Sequence, residues 1–465
     1  MKTIKYEHSS LRKMAQDFQG LDQMIKMLPV LKKMPVIDVS EALSLMETKE
    51  LFVILSEFPL EHQAEIFAAF PLVKQLSIFQ HVSMKRFSKL FELMPSEDRA
   101  DLFQILTQQE QIDLLPFLTK PIRENVLALS SYPEDTAGGI MSTDFATVSK
   151  DMSCFEAIYK VRQDAPSKKT IYYIYVVNED QTLVGFITLK DLIIAEPHQL
   201  VEEELHRDFV FGYLDEESES VAAKIDKYEL VALPILNRKK QLVGIVTHDD
   251  ALDIIQAEYT EDMEKFMGIM GSSEDVDYTH TSIFDHFKKR IFWLVTLAIV
   301  GLISGLIIHN FEGALAQMVI LALYMPLVAD SGGNAGSQSA TVVVRAMALG
   351  QITVKSWVSV LWKEMRIALL LALCLGILAF GKVVLFSWET EAPETFTLYS
   401  IGLVIAFALF LQVVLSTVIG AALPLIVKKS GGDPAVVASP AIRTIVNILG
   451  LLIYFSLAVY LFDLQ

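Results

Sequence analysis

Residues 291–308 read IFWLVTLAIVGLISGLII, an uncharged apolar run that is long enough to cross a bilayer, which takes about 20 residues. The run divides the chain of 465 residues into two parts. Before residue 285 the acids outnumber the bases by 47 to 28, whereas the rest of the chain is mostly apolar, with 9 acids and 11 bases. The composition therefore predicts an acidic, soluble first part and a membrane-embedded second part.

The composition also excludes several classes of protein. A net charge of −17 argues against a nucleic-acid-binding protein. Cys154 and Cys374 lie in different parts and provide no disulfide framework. The start, MKTIKYEHSS, lacks the apolar core of a cleaved signal, so we expect the acidic part to stay in the cytoplasm. The histidines are scattered, and no Ser/His/Asp set or phosphate-binding loop indicates an enzyme.

Further apolar segments have the composition of membrane spans. They cover residues 315–345, 365–388, 395–427 and 444–462, which gives five helices and puts the termini on opposite sides. The loops HNFEG and SWETEAPETF are acidic, whereas the opposite loops hold the basic residues Lys288, Lys289, Arg290, Arg345, Lys355, Lys363, Arg366, Lys428, Lys429 and Arg443. The distribution predicts cytoplasmic N-terminal domains and a C-terminus outside.

The second span contains the polar stretch PLVADSGGNAGSQS, residues 326–339. Asp330, Asn334 and Gln338 recur at intervals of four and share one face of a helix. A carboxylate at membrane depth is a candidate for function, and Gly and Pro there weaken helix hydrogen bonding. The alternative, that the small residues only allow close helix packing, does not account for the three polar side chains.

The loop before the fifth span holds Asp433, and the span itself contains Arg443 and Asn447. Arg443 and Asn447 are four residues apart and share a helix face. Arg443 is explained equally well as a basic residue at the cytoplasmic interface. Asn447 lies deeper in the span and is harder to explain in that way.

Residues 131–258 contain a duplicated unit. LVGFITLKDL (183–192) and LVGIVTHDDAL (242–252) lie 59 residues apart, and each follows a strand-like segment, IYYIYVVN or VALPILN. This pattern resembles a tandem pair of CBS domains. The resemblance implies nucleotide contacts from the Thr and Asp of each repeat, which are Thr188, Asp191, Thr247 and Asp250. The alternative is that each pair caps the helix that follows it.

Residues 40–125 carry a period of twelve residues. Its points are occupied by residue types that begin helices: Pro59, Pro71, Ser83, Pro95, Thr107 and Thr119. The period predicts a right-angled solenoid of short helices that stack to bury their apolar faces. The segment PSEDRAD places Glu97, Asp98 and Asp101 near the start of one of these helices.

The connector from Asp249 to Thr279 holds ten acids and one base, Lys265. If residues 250–265 form one helix, four of the acids lie on or near one stripe: Asp250, Glu258, Glu261 and Asp262. Like charges at this spacing repel one another unless something neutralises them, and divalent cations bind carboxylate oxygens. A cation-responsive connector and a solvated acidic linker both fit the pattern.

In its order of solenoid, CBS pair, acidic connector and five spans, the chain resembles the MgtE family of magnesium channels. The most specific residues are YPEDTAGGIM (132–141), GGNAGSQSATVVVR (332–345), and DPA (433–435) with LGLLIYF (449–455). The resemblance implies a multidomain membrane protein: an α-helical solenoid (1–130), an α/β tandem CBS pair (131–198 and 199–256), a connecting plug helix (257–284) and an all-α five-helix transmembrane domain (285–465).

The family resemblance further implies a homodimer in the cell membrane, with a Mg²⁺ pore lined by the second and fifth helices of both copies. It implies that cytoplasmic Mg²⁺ closes this pore by binding acidic residues. The implied sensor residues are Glu97, Asp98, Asp101, Asp250, Asp253, Glu258, Glu261 and Asp262. The implied ion path comprises Asp330, Asn334, Gln338, Asp433, Arg443 and Asn447.

One position departs from the family pattern. The pore carboxylate of the family lies fourteen residues after the Asp of DPA, where this chain has Asn447. A neutral amide lacks the charge that draws a divalent cation into a low dielectric. Three hypotheses follow. The chain is a Mg²⁺ channel or transporter; or it moves another ion or couples transport differently (Mn²⁺, Co²⁺ or cation/proton exchange); or it is a non-conducting CBS sensor of an ion or of ATP or another adenosine nucleotide.

Overall fold

The computed structural model describes residues 21–44, 46–270, 281–387, 396–436 and 439–464. These residues form two compact units, of which the first ends at Ile255 and the second begins at Gln256. The division falls inside the predicted acidic connector.

A series of short helices opens the first unit. They are α1 (Leu21–Leu31), α2 (Val36–Ser44), α3 (Thr48–Leu55), α4 (Leu60–Ala68), α5 (Leu72–Phe79), α6 (Met84–Glu92), α7 (Ser96–Ile105), α8 (Gln108–Leu114) and α9 (Lys120–Leu129). The residues that precede α4 to α9 are Pro59, Pro71, Ser83, Pro95, Thr107 and Thr119, as the period of twelve predicts. Proline fits there because the first helical N–H groups need no partner within the helix.

The solenoid is held together by contacts between alternate helices. α2 packs against α4, α3 against α5, and α4 against α6. Phe67, Phe87 and Phe91 are fully buried in its core, and the Phe67 and Phe87 rings meet edge to face with their centroids 5.7 Å apart. A single eight- or nine-residue helix cannot bury such rings alone, so the repeats stabilise one another by stacking.

Two three-stranded sheets follow, with the same topology. The first contains β1 (Phe145–Val148), β2 (Thr170–Val177) and β3 (Leu183–Thr188), and the second contains β4 (Gly212–Tyr213), β5 (Ala232–Leu236) and β6 (Leu242–Thr247). In each sheet the first pair of strands is parallel and the second pair antiparallel. Thr188 pairs with Tyr173, and Thr247 pairs with Ala232 at the same offset along the chain. The duplication predicted from the sequence is therefore present as two α/β units.

Further helices of the first unit precede β1 or connect the strands. They are α10 (Ala137–Ile140), α11 (Cys154–Asp164), α12 (Leu189–Ile194), α13 (Val201–Glu204) and α14 (Ser218–Tyr228). α15 (His248–Phe266) follows β6, and it confirms that residues 250–265 form one helix. Residues 271–280 of the predicted plug segment (257–284) lie outside the described residues.

The second unit contains long apolar helices. They are α16 (Ile283–Asn310), α17 (Glu312–Gln317), α18 (Ile320–Ala348), α19 (Trp357–Phe386), α20 (Leu398–Lys429) and α21 (Ser439–Phe462). Among the described residues, four of the five predicted spans have helices long and apolar enough to cross a membrane, namely the first, third, fourth and fifth. α18, the second predicted span, is long enough to cross a membrane, but its polar residues make it less apolar than the other four helices. It is nevertheless a continuous helix through Pro326 and the glycines.

α20 lies at the centre of this unit, where it contacts α18, α19 and α21. α18 and α20 approach closely at two glycines, because a Cβ on Gly420 would lie 2.1 Å from the carbonyl oxygen of Gly336. The small residues of the second span thus serve close packing on one face. The polar residues of that span lie on another face.

Candidate functional site

A polar stripe runs along α18. Asp330, Asn334 and Gln338 are exposed in the single chain, whereas Gly332, Gly333, Ala335, Gly336 and Ser337 between them are buried against neighbouring helices. The spacing of four residues predicted this common face. An exposed carboxylate and two amides are costly in contact with lipid and are usually covered by protein or water.

Arg443 of α21 reaches this stripe. Its Nη2 donates a hydrogen bond of 2.8 Å to Oδ1 of Asn334. α21 lies close to α18 at Gly333, where a Cβ would come within 2.8 Å of Cγ of Arg443 and 2.9 Å of the side-chain amide of Asn447. The structure therefore brings together Asn334, Arg443 and Asn447, which are distant in the sequence.

Asn447 connects α21 to the backbone of α18. We assign the amide orientation that satisfies both side-chain atoms, in which the nitrogen donates to the carbonyl oxygens of Ala329 at 2.8 Å and Arg443 at 3.1 Å. A carboxylate has no proton for these contacts and would face two oxygens that carry partial negative charge. The amide of Asn447, at the position where the family resemblance implies a carboxylate, thus fits its local surroundings.

Gln412 of α20 was not predicted as a site residue. Its side chain is fully buried, and Nε2 donates to the carbonyl oxygen of Val446 at 2.8 Å. Its Oε1 has no hydrogen-bond partner among the described residues. A Cβ on Gly332 or Gly450 would lie 2.3 or 2.4 Å from Nε2, so the side chain fills a slot between α18 and α21. A single amide in an otherwise apolar span is the sequence signal that could have identified it.

Glu364 of α19 is a second residue that the sequence analysis missed. It is buried and accepts a hydrogen bond of 2.8 Å from Oγ of Ser339 on α18. The signal in the sequence is a single acid just before an apolar span, next to Lys363.

The end of α15 lies against α18 and α21 within the second unit. Phe266 packs with Ala340, Ile442 and Val446. Lys265 forms ion pairs with Glu261 at 2.9 Å and Asp433 at 3.2 Å. The contacts place two predicted residues, Glu261 and Asp433, on either side of one ammonium group. The predicted sensor residues Asp253, Glu258 and Asp262 also lie on α15.

A second acidic cluster lies within the first unit. Glu97 and Asp98 occupy the first turn of α7, Asp101 lies one turn further on, and Asp250 lies in the first turn of α15. Nζ of Lys169 is 2.6 Å from Oε1 of Glu97 and 2.7 Å from Oδ1 of Asp250. The fold brings these predicted sensor residues together around a lysine that the sequence analysis did not identify.

Burial and like charges perturb this cluster. Burial, reinforced by the charges of Glu97 and Asp101, raises the pKa of Asp98 to about 7. Burial and the charge of Glu97 also raise the pKa of Asp101 to about 7. Burial acts to raise the pKa of Glu97, but its ion pair with Lys169 brings that pKa below its ordinary value. The ammonium therefore compensates Glu97, whereas Asp98 and Asp101 hold their protons up to about neutral pH.

The described residues include no group of three or more His, Cys, Asp or Glu side chains placed to hold a metal ion. The acidic cluster of the first unit is arranged around Lys169 instead. Assignment of the predicted sensor residues to a cation site stays a prediction.

The four residues predicted to contact a nucleotide have partners within the protein. Thr188 and Asp191 form a reciprocal capping box at the start of α12, and Asp191 also contacts Nε2 of His206 at 2.9 Å. Thr247 donates from its backbone N–H and its hydroxyl to Asp250. This arrangement agrees with the capping alternative.

A cavity of about 200 Å³ lies among β2, β3 and β5, within the first unit. Its walls include Tyr173, Phe186, Asp208, Tyr228 and Pro234. The walls do not include the Thr and Asp residues predicted to contact a nucleotide, and the cavity is smaller than typical ligand pockets of about 300–1,000 Å³.

Three family profiles match the chain. Residues 325–457 match a family described as a divalent cation transporter, residues 34–135 match the MgtE intracellular N domain, and residues 137–198 match the CBS domain.

Two relatives each match 72% of the chain. The magnesium transporter MgtE of Thermus thermophilus is 37% identical over 72% of this chain and 72% of its own length. The magnesium transporter MgtE of Bacillus subtilis is 34% identical over 72% of this chain and 71% of its own. A crystal structure of the soluble part of a magnesium transporter covers 54% of this chain and 99% of its own, with a TM-score of 0.50 and 23% identity, which supports the fold of that part.

Proposed function

Because the chain belongs to the MgtE family of magnesium transporters, we propose that it moves Mg²⁺ across the cell membrane along the polar stripe of α18. The observation that supports this path is the row of exposed Asp330, Asn334 and Gln338 on a long helix of the membrane unit. Carboxylate and amide oxygens suit a hard, hydrated cation. Family membership points to a transporter rather than an enzyme.

We propose that two copies of the chain face each other across this stripe, with the N-terminal domains in the cytoplasm and the C-terminus outside. Support comes from the cost of leaving three polar side chains in contact with lipid. A second copy would cover them and enclose a wet path between two stripes.

We also propose that cytoplasmic Mg²⁺ regulates transport through the acidic residues of α7 and α15. Support comes from the burial of Asp98 and Asp101 beside other acids, which raises the pKa of both to about 7, and from the contact of Phe266 with α18 and α21. A cation that draws acids together at α15 would act on the helices that border the path.

Flux of Mg²⁺ into liposomes containing the purified chain tests this function, with Mn²⁺, Co²⁺ and Ca²⁺ compared in parallel. Asp330→Asn should reduce Mg²⁺ flux by about tenfold or more, because it removes the carboxylate of the stripe. Glu312→Gln removes an exposed acid of α17 and should leave flux unchanged. Equal flux in both variants contradicts the path.

A second candidate is transport of another ion or with another coupling. Arg443 and Asn447 favour it, because Asn447 stands where the family resemblance implies a carboxylate and Arg443 places a positive charge one turn away. Flux of Mn²⁺ or Co²⁺ without Mg²⁺, or dependence on a proton gradient, would select this function.

A third candidate is a non-conducting sensor whose CBS pair binds ATP or another adenosine nucleotide. The match of residues 137–198 to the CBS domain is the feature that favours it. Equilibrium binding of ATP together with absence of flux for all four ions would select this function.

A further inference from the structure

Lys169 lies between two acids from different elements. Its ammonium is 2.6 Å from Glu97 of α7 and 2.7 and 2.9 Å from the two carboxylate oxygens of Asp250 of α15. All three side chains are largely buried. The backbone of Lys169 is fixed, because its N–H donates to the carbonyl of Asp144 and β2 begins at the next residue.

Lys265 repeats this arrangement in the second unit. Its ammonium lies 2.9 Å from Glu261 on the same helix and 3.2 Å from Asp433 in the loop before α21. Burial acts to lower the pKa of Lys265, but these two carboxylates raise it above its ordinary value. The ammonium therefore stays charged at neutral pH.

In both places a lysine occupies the space between carboxylates that would otherwise repel one another. An ammonium supplies one positive charge and three donors, and at 2.6–3.2 Å from oxygens on two sides it leaves no room for a further cation at the same point. A hydrated divalent ion could bridge either pair only after the lysine had moved away.

We propose that Lys169 and Lys265 are tethered cations that hold these acid pairs together in the absence of a divalent ion, and that Mg²⁺ must displace them to bind there. The consequence for gating rests on the proposed function. The acid pairs at Lys169 and Lys265 would then stay together at low Mg²⁺ concentration. The response of transport to Mg²⁺ would depend on other acids, such as Asp98 and Asp101.

Equilibrium binding of Mg²⁺ to the purified full-length chain tests the proposal. Lys169→Met and Lys265→Met each leave a pair of acids uncompensated, so the half-saturating Mg²⁺ concentration should fall about tenfold for one site per variant. Lys169→Arg and Lys265→Arg keep the charge and should bind Mg²⁺ as the wild type does. Lys168→Met, next to Lys169 in the chain, and Lys288→Met, in the second unit, are controls, because each removes one positive charge without removing an ion pair recorded among the described residues.

Hydrogen exchange gives a readout of closure at the first contact. The N–H of Ser96 donates to Asp144, and the N–H of Thr143 donates to Oγ of Ser96, so both amides report the contact of α7 with the CBS pair. In EDTA they should be protected in the wild type and exchange about tenfold faster in Lys169→Met, with protection restored by Mg²⁺. The amides of β2 and β5 should be unchanged, which shows that the variant is folded.

Two results would overturn the proposal. One is unchanged Mg²⁺ binding in both methionine variants, and the other is a wild type whose Ser96 and Thr143 amides are protected only when Mg²⁺ is present. Neither result depends on transport, so failure of the flux assay with the expected binding would reject the proposed function and keep the tethered cations.

Discussion

The side-chain amide of Asn447 shows how one residue can depart from a family pattern and still fit its surroundings. It donates to carbonyl oxygens of Ala329 and Arg443, while Arg443 donates to Asn334. These bonds join α21 to α18 along the proposed path. A carboxylate at position 447 would therefore change the charge of the path and also remove hydrogen bonds that join α21 to α18.

Asn447→Asp should destabilise the membrane unit, because the carboxylate loses both hydrogen bonds and faces two carbonyl oxygens. We expect a cost of about 1–3 kcal/mol, seen as a lower thermal midpoint of the full chain in detergent. Thr444→Val, which removes only a hydrogen bond to the carbonyl of Pro440 within α21, should cost less. A midpoint unchanged in Asn447→Asp would show that its amide does not join the helices.

Asp98 and Asp101 should make the stability of the first unit depend on pH in EDTA. Their pKa of about 7 lies above that of an unfolded Asp, so the folded state holds protons that the unfolded state has lost. Stability should therefore fall as pH rises from about 4 to about 7 and then level off.

Asp98→Asn should flatten this profile and stabilise the unit at pH 8 by about 1–2 kcal/mol. Thermal unfolding of the full chain at several pH values measures it. Asp113→Asn, at an exposed acid of α8, is the control and should follow the wild type. If the wild type, Asp98→Asn and Asp113→Asn show the same dependence of stability on pH, the raised pKa of Asp98 is contradicted.

At the scale of elements, the helices of the two units form for different reasons. In the solenoid a residue suited to a helix start recurs every twelve residues, so the boundaries follow from local chemistry. In the membrane unit, α18 contains Pro326, Gly332, Gly333 and Gly336, which the sequence suggested would weaken its hydrogen bonding. It nevertheless stays helical, and its three glycines fit against α20 and α21, where larger side chains would collide.

The slot around Gln412 is the element-scale contact that can be tested most directly. Gly332→Ala and Gly450→Ala each place a Cβ within 2.4 Å of Nε2 of Gln412, and each should cost about 1–3 kcal/mol through overpacking. Thermal midpoints of the full chain in detergent measure the cost.

Gln412→Ala should relieve much of the glycine variants' cost in a double-mutant cycle, because it removes the side chain that collides. Gly301→Ala is the control, since the added Cβ would meet no described atom within 4 Å beyond the local backbone of its own helix. If the changes in thermal midpoint caused by Gln412→Ala and Gly332→Ala add strictly in the double variant, the predicted collision between these two side chains is rejected.

At the scale of the whole molecule, the stripe of Asp330, Asn334 and Gln338 is left exposed by a single chain. If a second copy covers it, Gln338→Cys should crosslink to its counterpart in a membrane, because equivalent positions lie close across a two-fold axis. Crosslinking should be measured in a background that lacks Cys154 and Cys374. Tyr460→Cys, on an exposed part of α21, is a comparison position. Crosslinking at Tyr460 without any at Gln338 would place the interface elsewhere.

The sequence by itself determined the division into an acidic unit and a membrane unit, the twelve-residue helical repeat and the duplicated α/β units. It also determined the common face of Asp330, Asn334 and Gln338. These features depend on composition, periodicity and helix-start residues, which act over a few neighbouring positions. The family motifs could be recognised for the same reason, since each is a continuous stretch of chain.

Only the tertiary structure decided which side chains meet. Lys169 pairs with Glu97 and Asp250, Lys265 with Asp433, and Gln412 lies between Gly332 and Gly450. No spacing along the chain predicts such contacts, because they join residues from elements that pack together only in the folded protein. Packing therefore decides which positive charge lies between the acids of each pair, and in both pairs it is the ammonium group of a lysine.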